Sequence, residues 1–177
     1  MFDGEGCTSP ERNIVLTGFM GAGKTEVGRT LARIMRRPFA DTDILAARAA
    51  RMSISAIFER FGEARFRELE MDAARELAMK RKLVIATGGG LPSNGRALDE
   101  LKVFGFIVYL EWPFEALWER ISKTGRMRPL VRQYGKTGLL SLFAEREQRY
   151  RDAELVVSAN GFTPKVIARV IRHAFKS

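Results

Sequence analysis

The chain has 177 residues, 46% of them apolar, enough for one well-buried domain and too few for two. Its formal net charge of +9 admits nucleic acid, an anionic membrane surface or small anionic ligands as partners. One cysteine, Cys7, and one histidine, His173, exclude an internal disulfide and a Cys/His zinc site, and the sequence holds no apolar run of about 18 residues. The polar opening over 1–12 reads as a flexible leader, neither signal peptide nor membrane anchor, so a cytoplasmic location is expected.

In chain order, strand-like and helix-like segments alternate. "NIVLT" is a short β-branched run that enters glycines and then the amphipathic "TEVGRTLARIM". "PFADTD" is a second short strand ending in carboxylates. A helical region follows from Ile44 to about Lys80, broken near Met52–Ser53 and near Gly62 where the apolar period restarts. "KLVIATGGG", "GFIVYLEWP" and "ELVVSANG" complete a set of five strands, each followed by a helical pattern. Strands apolar on both faces and alternating with helices predict a parallel sheet covered on both sides, an α/β fold.

Between the last two strands, "KTGRMRPLVRQYGKTG" (123–138) carries five basic residues, three glycines and no acid. It is expected to be a mobile basic loop. No RNA-binding signature, recognition-helix pattern or interleaved aromatics accompany it, so the charge is assigned to small anions rather than to nucleic acid.

Gly18, Gly21, Gly23, Lys24 and Thr25 fit G-x-x-x-x-G-K-[ST] between a strand and a helix, the context a phosphate-binding loop requires. Glycines let successive backbone N–H groups turn toward phosphate oxygens, and the helix adds its positive N-terminal end. Lys24 would reach the β- and γ-phosphates, and Thr25 Oγ1 would ligate Mg²⁺. Gly21, Ala22, Gly23, Lys24, Thr25 and Glu26 are therefore the expected contacts to ATP. Glu26 sets an acid beside the phosphates, with a small expected cost in nucleotide affinity.

Asp41 and Asp43 stand at the end of the second strand, where open α/β sheets present ligands. One can serve a magnesium ion and the other a hydroxyl about to attack phosphorus; helix capping is the competing role. Arg67 and Glu70 share a helix face three residues apart, although Glu63, Arg65 and Glu68 nearby also suit a solvated, salt-bridged surface. Gly88, Gly89 and Gly90 allow a small ligand to lie against backbone, or make a tight turn. Trp112 and Trp118 read as packing residues.

"GFMGAGKTEVGR", "DTD", "FGEARFRELE", "TGGG", "RMRPL" and "REQRY", in this order and spacing, closely resemble the shikimate kinase family from about Asn13 to Phe175. The resemblance implies a P-loop, nucleoside-monophosphate-kinase-like fold with a five-stranded parallel sheet in the order 2-3-1-4-5, a substrate-binding helical region over about 44–80 and a lid over about 123–138. It implies shikimate contacts from Asp43, Arg67, Gly89 and Arg146, with Glu70 supporting Arg67. Arg128 matches the lid arginine and Asp41 the magnesium-side carboxylate. The expected activity is transfer of the γ-phosphate of ATP to the 3-hydroxyl of shikimate, with catalysis by Lys24, Asp43 and Arg128. A gluconate kinase is the nearest alternative enzyme, and a nucleotide-dependent nucleic-acid-binding module the alternative outside enzymes. "SANGFTP" lacks an arginine that some relatives offer to adenine. Nothing in the sequence demands a second subunit, so a monomer is expected.

Overall fold

The computed structural model describes residues 10–91, 95–123 and 129–176. Cys7, most of the leader, and Arg128 lie outside them. In chain order the elements are β1 (Asn13–Thr17), α1 (Lys24–Met35), β2 (Phe39–Asp41), α2 (Thr42–Ala50), α3 (Ile54–Ala78), β3 (Val84–Ala86), α4 (Gly95–Lys102), β4 (Gly105–Glu111), α5 (Phe114–Lys123), α6 (Pro129–Arg151), β5 (Leu155–Ser158) and α7 (Pro164–Lys176). The strands form one sheet in the order β2-β3-β1-β4-β5, every neighbouring pair parallel. This is the expected order.

Side-chain alternation along the central strands explains why the sheet is covered twice. Ile14 and Leu16 face a cluster that includes Val27 and Leu31 of α1 and Ile167 and Ile171 of α7. Val15, Ile85 and Ile107 point the other way, into Ala74 and Leu77 of α3 and Leu98 and Leu101 of α4. Both faces being buried, the strands carry no polar face, which is why they read as continuous apolar runs. A third, smaller cluster of Ala46, Ile57, Phe66 and Leu69 ties α2 to α3 and gives the helical region its own core.

Two helix breaks fall where the apolar period restarts. α2 ends at Ala50 and α3 begins at Ile54, with the Ser53 side chain capping it by accepting from the Ala56 N–H at 3.2 Å. Within α3, Gly62 adopts φ 77° and ψ 178°, a kink that costs a glycine little and other residues much. The basic stretch differs from the loop expected of it. α5 runs to Lys123 and α6 starts at Pro129, a residue suited to the first helical turn, with a second kink at Gly135 (φ 59°). Helix thus replaces loop over 129–138. No helix among the described residues is long and apolar enough to cross a membrane.

Candidate active site

At the C-terminal end of β1 the chain turns through Gly18 (φ 142°), Gly21 (φ 83°) and Gly23 (φ 84°) before α1 begins. Only glycine tolerates this run of positive φ cheaply. Gly23 supplies no capping side chain, so the first amides of α1 stay available for an anion. Lys24, 8% exposed, lies back across the loop and donates from Nζ to the carbonyls of Gly18 (2.7 Å) and Phe19 (3.0 Å). Its charge is held over the loop by two backbone oxygens.

Thr25 Oγ1 donates to Asp41 Oδ2 at 2.8 Å, while Asp41 Oδ1 accepts from the amides of Asp43 (3.0 Å) and Ile44 (3.4 Å). Asp41 therefore fills the capping role on α2 while its other oxygen faces the glycine-rich loop through Thr25. A cavity of about 450 Å³ opens over these groups, lined among others by Gly21, Gly23, Lys24, Thr25, Glu26, Asp41, Asp43, Gly89 and Arg120. Ala22 is buried and lies behind that lining.

A second cluster adjoins Asp43. Arg67 donates from Nη1 to Glu70 Oε2 (2.5 Å), and from Nη2 and Nε to Glu63 Oε1 (2.7 and 3.2 Å). This is not a solvated surface, since the Glu70 side chain is 0% exposed and that of Arg67 17%. Burial, together with the carboxylate of Asp43, pushes the Glu70 carboxyl up to about 7 and outweighs the pull of Arg67 and Arg146. Burial works against the Arg67 charge, yet Glu70 and Glu63 raise its pKa further.

The triple glycine joins the two clusters. A Cβ on Gly88 would lie 2.2 Å from Glu70 Oε1 and 2.3 Å from Asp43 Oδ1, and one on Gly90 2.1 Å from Arg67 Nη1. Gly88 also makes a tight turn, its carbonyl accepting from the Leu91 N–H at 3.2 Å. The turn is thus present, and the close approach of the Asp43, Glu70 and Arg67 side chains requires glycine there as well. From α6, Arg146 (4% exposed) donates to the Gly89 carbonyl at 3.3 Å. Arg67, Glu70 and Arg146 stand behind Asp43 and the glycines rather than in the lining of the first cavity.

Gly88→Ala is accordingly expected to force Asp43 and Glu70 apart. It should cost about 1–3 kcal/mol of stability, as overpacking does, and lower turnover of any acceptor held by Asp43 at least about tenfold. Thermal unfolding and steady-state kinetics check this; a variant with wild-type melting temperature and KM would show that the backbone yields at no cost.

Sequence reasoning missed three residues. Glu63 reads as surface charge until the burial of its i,i+4 partner Arg67 is known. Tyr150, fully buried and stacked on Tyr109 at 5.2 Å, donates to the Gly89 carbonyl at 2.6 Å beside Arg146. Burial raises both phenols, Tyr109 to about 12. Arg120 on α5 donates to the Gly21 carbonyl at 3.0 Å and lies 4.6 Å from the Trp112 ring centroid. An arginine eight residues before Arg128 carried no signal of its own.

A family model for shikimate kinase matches residues 20–176. Shikimate kinase of Geobacter sulfurreducens is 43% identical over 154 residues, spanning 86% of this chain and 84% of that protein. Among solved structures, shikimate kinase from Acinetobacter baumannii in complex with shikimate superposes with a TM-score of 0.88 at 35% identity, over 94% of this chain and 93% of that one. A gluconokinase from Sinorhizobium meliloti reaches a TM-score of 0.57 at 18% identity over 94% of this chain and 92% of that one, a likeness of fold alone. With the family model matching residues 20–176 and relatives of this identity aligned along most of their own length, the chain belongs to the shikimate kinase family.

Proposed function

We propose that the protein transfers the γ-phosphate of ATP to the 3-hydroxyl of shikimate, giving shikimate 3-phosphate and ADP, a step of aromatic amino acid biosynthesis. One observation carries this reading: a loop built for phosphates and a cluster built for a small carboxylate meet at one sheet edge, with Asp43 between them. Shikimate brings one carboxylate and three hydroxyls to such a place. Arg67 and Arg146 take the carboxylate, each fixed in advance by carboxylate or carbonyl partners. Gly88, Gly89 and Gly90 let the ring lie against backbone.

Lys24 exchanges the Gly18 and Phe19 carbonyls for the β- and γ-phosphates, and Gly21, Ala22, Gly23, Thr25 and Glu26 follow the nucleotide along the loop. Thr25 Oγ1 and Asp41 Oδ2, 2.8 Å apart, are hard oxygen donors that suit Mg²⁺. Among the described residues no three of His, Cys, Asp and Glu gather around one point, which suits a cation carried chiefly by phosphate oxygens and water. When bound, Mg²⁺ supplies charge neutralisation on the phosphates. Asp43 orients the 3-hydroxyl and accepts its proton as the oxygen closes on phosphorus. Arg128 closes over the phosphates with the rest of the lid, excluding water once both substrates are present. All these residues belong to one chain, so a monomer suffices, and we place the enzyme in the cytoplasm, where ATP is at hand.

Two substitutions separate the aspartates. Asp43→Asn should depress kcat while calorimetry finds ADP affinity nearly unchanged; Asp41→Asn should raise the magnesium concentration needed for half-maximal rate. Identical magnesium responses with shikimate turnover retained would contradict this division. Against the rival readings, ADP release should rise with shikimate and stay at background with gluconate or RNA. A rise with RNA instead would favour the binding module.

A further inference from the structure

We propose that Trp112 is a positioning residue of the phosphate loop: its indole N–H fixes the Ala22 peptide and its ring carries Arg120 at the edge of the nucleotide cavity. Trp112 begins the strand-to-helix turn between β4 and α5, is 8% exposed, and donates from Nε1 to the Ala22 carbonyl at 3.2 Å. A buried indole N–H ordinarily finds an acceptor. What singles this one out is the acceptor chosen, a carbonyl inside the loop that α1 opens from.

In a trans peptide the C=O of one residue and the N–H of the next point in opposite directions. Drawing the Ala22 oxygen toward Trp112, which does not line the cavity, turns the Gly23 N–H toward the cavity that Gly23 does line. The preceding peptide is held at both ends, its Gly21 carbonyl accepting from Arg120 Nε at 3.0 Å and its Ala22 N–H donating to the Phe19 carbonyl at 3.2 Å. These two holds are one unit, since the Arg120 guanidinium sits 4.6 Å from the Trp112 ring centroid, within cation–π range. On the other side of the loop, Lys24 engages the Gly18 and Phe19 carbonyls. When the lysine moves to phosphate, the Trp112 and Arg120 contacts remain, together with the bond from the Ala22 N–H to the Phe19 carbonyl, to keep the loop's peptides in place. A loop of glycines has little rigidity of its own, so this external hold lowers the ordering cost of binding phosphates. An ordinary packing aromatic would do none of this.

This inference rests on the reading of the loop as the ATP site. Trp112 and Trp118 are the two tryptophans of the chain, so Trp118→Phe leaves Trp112 as a single fluorophore. In that background the emission of Trp112 should change saturably with ADP and with inorganic tripolyphosphate, and not with adenosine. Trp112→Phe, which keeps a ring but loses the N–H, should raise KM for ATP about 3- to 10-fold, the scale of one lost hydrogen bond, with KM for shikimate within twofold of wild type. Trp112→Leu, which also removes the seat of Arg120, should raise KM for ATP further. A Trp112→Phe enzyme with wild-type KM for ATP, or Trp112 emission blind to tripolyphosphate, overturns the proposal; if Trp112→Phe fails to fold, the emission titration decides alone. A wild-type chain that binds no ADP would overturn the functional reading itself, whereas normal ADP binding with an indifferent Trp112 overturns this proposal only.

Discussion

Purified Lys24→Ala protein is expected to lose about 10²-fold or more in kcat/KM. The lysine places a compact positive charge where negative charge on the β- and γ-phosphates must be stabilised during transfer, and alanine leaves nothing in its place. A second effect follows from its position in the structure. Lys24 is buried across the loop and donates to the Gly18 and Phe19 carbonyls, so alanine also frees two loop oxygens and loosens the loop before any nucleotide arrives. The fold should survive, because the sheet and its two apolar layers do not depend on this side chain. Circular dichroism near wild type with turnover nearly lost is the expected pair of results; near-wild-type turnover would remove the phosphate-loop assignment.

Arg67→Ala is expected to weaken shikimate binding by about 2–4 kcal/mol, roughly 30- to 1,000-fold, while ATP binding changes little. A carboxylate that has given up its water and lost one arm of its clamp retains the desolvation cost. The variant should also be less stable. Glu70, fully buried beside Asp43, would lose the cation that Arg67 Nη1 presents at 2.5 Å, which drives its carboxyl further upward. Arg67→Lys keeps the charge without the fork and should fall between wild type and alanine. Stability and recognition are told apart from the ligand side. A carboxamide analogue of shikimate should bind wild type poorly, and Arg67→Ala should then cost much less; equal weakening of acid and amide would mean that Arg67 serves only the helix.

The fold was readable where a local rule governs it. Parallel strands buried on both faces must be short apolar runs, and "NIVLT", "KLVIA" and "GFIVYLE" stood out for that reason. Strand order depends on pairings between distant segments, and only the family resemblance supplied it. The glycine-rich loop was readable because its backbone admits few residue types. Arg67 and Glu70 were visible as neighbours on a helix, but their burial was not, since it comes from α2, β3 and α6 closing around them. Glu63 was read only as surface charge because an i,i+4 acid–arginine pair looks the same in sequence whether or not the arginine is buried. Trp112 finds its partner 90 residues earlier in the chain, a distance no local pattern spans. The basic stretch misled through composition: glycines among basic residues with no acid suggested loop, yet Pro129 opens a helix and Gly135 merely kinks it.

Phosphorus NMR of wild-type protein incubated with ATP, Mg²⁺ and shikimate follows the transferred phosphate itself. A new phosphomonoester resonance should grow in step with ADP, and be absent when shikimate is omitted and absent in Asp43→Asn over the same interval. ADP appearing with inorganic phosphate alone, at a rate indifferent to shikimate, would contradict it.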